Sequence, residues 1–200
     1  MHPVICLASN SPRRRDLLSQ IGVSHIVLAA DIDESVLPGE PPSAYVVRLA
    51  RDKALAIRGA GQPLPVLAAD TTVVVDGKIF GKPRDRADAI YMLSELAGRA
   101  HEVLTAVALV GAHGVGERLS SNTVCFRKIS AEECAAYWET GEPRDKAGGY
   151  AIQGLGAVFV ESLNGSYSAV MGLPLFETGE LLQAAGIQYW NGASQGRERA

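Results

Sequence analysis

Two rhythms of apolar and polar residues alternate along this chain, one of period two that suits strands and one of period 3.6 that suits helices. Residues 4–8 are a short apolar run and predict a strand. Beyond them Leu17, Leu18 and Ile21 share one helical face, with Ser11 placed as N-cap, Pro12 in the first turn and Gly22 as the stop. Residues 25–30 read as a second strand, and residues 38–42 as a loop. A helix capped by Ser43 then runs to about Arg58, with Val46, Leu49, Ala50 and Ile57 on its apolar face and Arg48, Arg51, Asp52 and Arg58 on the other. Lys53 falls in the middle of the apolar stripe.

Residues 65–76, PVLAADTTVVVD, predict a strand whose apolar run is interrupted at Asp70, Thr71 and Thr72. Asp76 and Gly77 make a hairpin turn that returns through residues 78–80. Residues 84–97 predict a helix with Ile90, Leu93 and Leu96 inward, stopped at Gly98. Residues 101–110 and 118–128 predict a large antiparallel hairpin around a glycine-rich turn at 111–116, long enough to build a second lobe or a dimer edge. A capped helix at 130–140, a pair of short strands at 157–162 and 166–170 and a last helix at 174–185 complete the regular elements. Residues 141–156 form a loop rich in glycine and charge, and residues 188–200 a polar, frayed tail.

Composition narrows the class. With 47% hydrophobic and 20% charged residues, 200 residues can bury the core of one large domain or of two closely joined lobes. A net charge of -3, without a long basic stripe, argues against broad nucleic-acid binding and for a small anionic ligand. Cys6, Cys125 and Cys134 are odd in number and widely spaced, which suggests reduced thiols rather than a disulfide framework or a zinc cage. His2, His25, His101 and His113 are scattered singly, none at metal-ligand spacing. The start lacks the basic and apolar regions of a signal peptide and no later stretch approaches a membrane span, so a cytoplasmic protein without membrane contact is expected.

Candidate chemistry begins at Ser9 and Ser11. A strand, a serine turn and a helix start carrying Arg13, Arg14 and Arg15 make either an anion site or a solvated basic turn. Arginines at a helix start oppose the dipole, so something anionic should compensate them. Asp31, Asp33 and Glu34 at a strand end either hold a divalent metal or form a solvated acidic turn. Lys53 must snorkel past its apolar neighbours or aim its ammonium at a buried anion. Asp70 needs partners or a proton, as a hydrogen-bond hub or a functional carboxylate. Lys82 can return toward the same end of the sheet, Thr105 can face a cleft or simply pack, and the 145–154 loop, DKAGGYAIQG, offers Lys146 and Gln153 beside glycines that let backbone approach a ligand.

Six of these segments occur in a fixed order: SNSPRR at 9–14, Glu34, Lys53 with its following alanine, ADTTV at 69–73, GKP at 81–83 and DKAGGYAIQG at 145–154. The series resembles the Maf (septum-formation inhibitor) family of nucleoside triphosphate pyrophosphatases, over about residues 4–187. The resemblance implies an α/β fold of the inosine-triphosphatase type, with a long mixed β-sheet flanked by helices and two lobes with a cleft between them. It implies one such domain over residues 1–187, a homodimer, a divalent metal such as Mg2+ or Mn2+, and hydrolysis of a nucleoside triphosphate to the monophosphate and pyrophosphate. Arg13, Thr71 and Gln153 resemble the branch acting on dTTP and UTP; the branch associated with 7-methyl-GTP typically has a tryptophan after the SP pair and a glutamine after the aspartate, and this chain has neither. Gln153 can serve such a choice, because its amide is both donor and acceptor and matches the edge shared by uracil and thymine.

On that resemblance Asp70 is the expected base toward the attacking water, and Glu34 and Asp70 the metal ligands. Arg13, Arg14, Lys53 and Lys82 would hold the triphosphate, with Ser9 and Ser11 adding contacts. The physiological substrate is then canonical dTTP and UTP or a modified pyrimidine triphosphate that is to be kept out of nucleic acid. A different class of reading is a nucleotide-binding regulator of septum formation that does not turn its ligand over. A methyltransferase or dehydrogenase is disfavoured, since no GxGxxG follows the opening strand.

Overall fold

A computed structural model describes residues 2–112 and 114–190 of the chain. His113 and residues 191–200, which hold part of the expected glycine turn and most of the expected tail, lie outside the described residues.

The opening apolar run forms β1 (Ile5–Leu7), fully buried, and leads into α1 (Pro12–Gln20). Gly22, at φ +74°, ends that helix turn, and β2 (His25–Val27) follows, shorter than its apolar pattern. The next helix, α2 (Pro42–Gly59), starts one residue before the expected cap: Pro41 is the N-cap and Pro42 takes the first helical position, where its missing amide costs nothing. Then come β3 (Val66–Val75), β4 (Lys78–Phe80), α3 (Arg86–Leu96), β5 (Ala100–Gly111), β6 (Gly114–Phe126) and α4 (Ala131–Glu139). Asp76 and Gly77 both have positive φ, as the tight turn from β3 to β4 requires. The hairpin of β5 and β6 is tighter than expected, because Gly111 pairs directly with Gly114 and the glycines belong to the strands. Short 3₁₀ turns follow at Glu142–Asp145, Ala147–Gly149 and Leu155–Phe159, and then β7 (Val160–Asn164), α5 (Tyr167–Met171) and α6 (Leu175–Ala184).

Residues 166–170 are not a strand. The Ser166 hydroxyl accepts the Ala169 N–H at 3.3 Å and Asn122 Oδ1 accepts the Ser166 N–H at 2.6 Å, so the segment turns into α5 while β7 pairs with β6. At the other end, residues 188–190 are held rather than frayed: Tyr189 packs on the core beside α1 and α6, and the Trp190 N–H donates to Ile21 O at 2.6 Å.

The strands form one mixed sheet in the order β2-β1-β3-β5-β6-β7, with β4 beside the far half of β3. β1 runs parallel to β2 and β3, and the remaining pairs are antiparallel. The pleat of β3 divides its residues between two faces. Val66, Ala68 and Val74 meet α2 through Val46, Ala50 and Ala54, the alanines on both sides allowing close approach. The opposite face carries two cores. One joins Leu67 and Ala69 to α1 and α6, and the other joins Val73 and Val75 to α3, α4 and the 3₁₀ turns. Between them sit Thr71 and its cross-strand neighbour Thr105, a polar seam that separates two lobes.

Candidate active site

β1 pairs with β3 only as far as Leu67, and β4 does not begin until opposite Val73. Among the described residues, the edge of β3 from 68 to 72 therefore has no strand beside it. A gap in a sheet opens both faces of the strand behind it, so Asp70, pointing toward α2, and Thr71, pointing away from it, line the same cleft of about 560 Å³. The cleft is also lined by Ser9, Ser11, Arg13, Arg14, Glu34, Lys53, Lys82 and Gln153, so the residues that the family resemblance points to meet in one place, whereas Arg15, Asp31, Asp33 and Thr105 do not line it.

On the α2 side the two readings of Lys53 are resolved. Its ammonium is aimed at anions, with Nζ 2.6 Å from Asp70 Oδ1 and 2.6 Å from Glu34 Oε1. Of the acidic run only Glu34 belongs to the site: Asp33 is exposed and accepts the Ser35 N–H at 2.9 Å, a local turn bond. The helix holds the loop in place, as Tyr45 OH donates to Glu34 O at 3.0 Å and Arg48 Nη2 to Ser35 O at 2.9 Å. Burial raises the pKa of Asp70 above the ordinary aspartate value, and the charges of Lys53 and Arg14 offset this only in part. Burial acts the same way on Glu34, but there the hydrogen bond and charge of Lys53, with Lys82 and Arg14, outweigh it and the net shift is downward.

Two carboxylate oxygens bonded to one ammonium can be no further apart than twice that bond. Such a pair of hard oxygen donors fits Mg2+ or Mn2+, which take one or two protein carboxylates and complete their shell from phosphates and water. Among the described residues no group of three or more histidine, cysteine or acidic side chains is gathered to hold an ion unaided. The donor set fits a divalent ion whose remaining positions are filled by oxygens from outside the protein.

Across β3, the start of α1 is fixed differently from the sequence expectation. Ser11 occupies the N-cap position, but its hydroxyl makes no capping bond; Ser9 Oγ instead accepts the Ser11 N–H at 3.1 Å. The compensation for the basic turn comes from carbonyls at the end of α5. Arg14 Nε donates to Gly172 O at 2.7 Å and Arg13 Nε to Met171 O at 3.3 Å. Arg14 also donates to Thr71 Oγ1 at 3.3 Å and Ser9 Oγ at 3.4 Å, so all three guanidinium nitrogens meet protein acceptors. Burial lowers the pKa of both arginines from their usual value, which for Arg13 the charges of Asp145 and Glu142 oppose.

The rim is closed by two motifs far apart in sequence. Gly148 N–H donates to Gly81 O at 3.0 Å, which ties the loop of Asp145, Lys146 and Gln153 to the segment bearing Lys82. Gly148 has φ +67°, and a Cβ there would lie 2.8 Å from Val73 Cγ2, so glycine is needed both for the turn and for the approach to β3. Sequence reasoning missed Tyr45, Met171 and Gly172. Tyr45 and Met171 act through position alone, and the only local signal at Gly172 is a glycine that takes φ +118°.

An α/β protein with a small-molecule cleft set in a gap of its mixed sheet is the class that fold and site define. The chain belongs to the Maf-like protein family, which matches residues 4–185. It is 54% identical over 188 residues to a dTTP/UTP pyrophosphatase of Saccharophagus degradans, covering 92% of this chain and 90% of that one. It is 51% identical to a dTTP/UTP pyrophosphatase of Hahella chejuensis, with 94% of each chain covered, and 53% identical to one of Methylobacillus flagellatus, covering 92% and 93%. Among solved structures it is similar to the Staphylococcus aureus Ham1 protein, at a TM-score of 0.43 and 16% identity, over 64% of this chain and 72% of that one.

Proposed function

We propose that this protein hydrolyses dTTP and UTP to the monophosphate and pyrophosphate, with modified pyrimidine triphosphates as further candidates. The observation that carries this reading is the buried Asp70 carboxylate bonded to Lys53 at 2.6 Å and opening onto a cleft with cations on its rim, in a chain about half identical to relatives of that name. Glu34 and Asp70 would hold a divalent cation, which when bound lowers the pKa of water and draws charge from the phosphates.

Lys53 occupies Oδ1 of Asp70, which leaves Oδ2 to take the proton of the attacking water. The water oxygen bonds to the α-phosphorus, the bond to the bridging oxygen breaks, and pyrophosphate leaves with the electron pair. Arg13, Lys53 and Lys82 face the charge that builds on that leaving group. Arg14, whose guanidinium nitrogens already meet protein acceptors, contributes its charge as part of the cleft wall and orients Ser9 and Thr71. Burial helps Asp70 as a base, since a carboxylate of raised pKa lies closer to the value that general-base catalysis needs. Gln153 offers its amide to the base edge from the rim. The protein is proposed to work in the cytoplasm, and no helix among the described residues is long and apolar enough to cross a membrane. A homodimer is proposed on the family resemblance alone.

The test is product analysis with purified protein, Mg2+ and UTP, dTTP or CTP. Pyrophosphate release from UTP and dTTP, lost by about 1,000-fold or more in Asp70→Asn with nucleotide binding retained, is the expected result. Orthophosphate as the first product, or undiminished turnover in Asp70→Asn, would overturn the reading.

A further inference from the structure

We infer that Tyr137 and Glu142, neither of which lines the cleft, are positioning residues for base selection: together they clamp the backbone on both sides of Gln153. The inference rests on the reading of Gln153 as the base-contacting residue.

Tyr137 OH accepts the Ala151 N–H at 3.1 Å and donates to Glu142 Oε1 at 2.6 Å. Glu142 in turn accepts the Gly156 N–H on Oε1 and the Leu155 N–H on Oε2, each at 3.0 Å. The two residues thus grip positions 151, 155 and 156, with Gln153 at the exposed tip midway. A Gly154 N–H to Ala151 O bond of 3.2 Å draws the tip into a tight turn. Two glycines leave room for the carboxylate: a Cβ on Gly154 would overlap it, and one on Gly156 would lie 2.6 Å from the Tyr137 oxygen. The clamp is anchored in the lobe's core, where the Tyr137 ring is buried and meets Phe159 edge to face at 5.1 Å.

Between these anchors residues 152–154 form only a turn, with no helix or strand to hold it, so its placement depends on them. A side-chain amide separates uracil from cytosine only while it is held within hydrogen-bond reach of the base edge, and a drift of about 1 Å loses that contact. The acceptors needed to prevent drift are the two oxygens of Glu142 and the hydroxyl of Tyr137. Glu142→Gln keeps the size but turns one oxygen into an NH2 that faces an N–H, and Tyr137→Phe removes a single oxygen while keeping the ring in its core.

The experiment compares kcat/KM for UTP and CTP in the wild type, Gln153→Ala, Glu142→Gln, Tyr137→Phe and the double variant of Glu142→Gln with Gln153→Ala. Melting temperatures and hydrogen exchange at Leu155 and Gly156 accompany the kinetics. Glu142→Gln and Tyr137→Phe are each expected to lower the UTP to CTP ratio by about tenfold or more, through KM for UTP, with kcat for UTP within about threefold. Exchange at Leu155 and Gly156 should speed up, and the double variant should be no less selective than Gln153→Ala alone. If Glu142→Gln does not fold, Tyr137→Phe carries the test. A normal ratio in the clamp variants beside a reduced ratio in Gln153→Ala overturns the clamp, as does a double variant that multiplies the two losses. A normal ratio in Gln153→Ala itself overturns the underlying reading of that residue, and the clamp's role with it.

Discussion

Thr71 and Thr105 face each other across β3 and β5 with their hydroxyl oxygens 3.1 Å apart, between the two apolar cores of one sheet face. The Thr105 hydroxyl also lies 2.8 Å from Ala169 O, an acceptor with no proton of its own, so its single hydrogen goes there. Thr71 must then donate to Thr105 while accepting from Arg14, and the relay α5, β5, β3, α1 is closed. Thr105→Val removes one of the two donors to the Ala169 carbonyl, which keeps the Gly172 N–H at 2.9 Å, and takes away the acceptor of the Thr71 proton at the half-buried cleft wall. A loss of about 1 kcal/mol in thermal or denaturant unfolding is expected, with a raised KM for UTP as Arg14 loosens. A variant as stable as the wild type would show that the seam holds nothing together.

Lys53 neutralises two carboxylates from within an apolar helix face. Lys53→Met keeps the stem but strands Asp70, which is only 8% exposed, without its nearest cation. Turnover of UTP should fall by about 100-fold or more, and the protein should lose about 3 kcal/mol of stability at neutral pH. Lys53→Arg is expected to recover stability better than activity, because a planar fork cannot meet both oxygens as a point ammonium does. Full activity in Lys53→Met would remove the lysine from the phosphate path.

The raised pKa of Asp70 has a defined sign in kinetics. A base must be ionised to act, so kcat/KM is held at high pH and lost as the pH falls through the folded-state pKa. That acid limb should lie above the value of about 3.9 for a free aspartate, and it should move further up in Lys53→Met, where the lowering charge is gone. A limb at or below the free value, measured at constant metal saturation, would contradict the burial argument.

Gly148→Ala tests the join between the two rim motifs. At φ +67° and with Val73 in the way, the new methyl group strains the turn and pushes the loop from β3. A stability loss of about 1–3 kcal/mol is expected, together with a rise in KM larger than the fall in kcat, since Asp70 lies outside the displaced segment. Equal effects on both constants would mean that the loop also shapes the reacting centre.

Much of this protein is written in short stretches of sequence. The Asp76-Gly77 turn, the Ser130 cap with Glu133 and the apolar stripe of α2 depend on neighbours within one turn or one hairpin, and they stand where the pattern puts them. The residues of the cleft were likewise legible, because an aspartate in an apolar strand and a lysine in an apolar stripe each demand a partner. What the sequence could not say was which partner. The choice of Glu34 over Asp31 and Asp33, the pairing of Arg14 with the end of α5, and the grip of Tyr137 and Glu142 on the Gln153 loop join residues far apart along the chain. Those contacts follow from strand register, above all from where β1 stops and β4 starts, and register is settled only when the whole sheet packs.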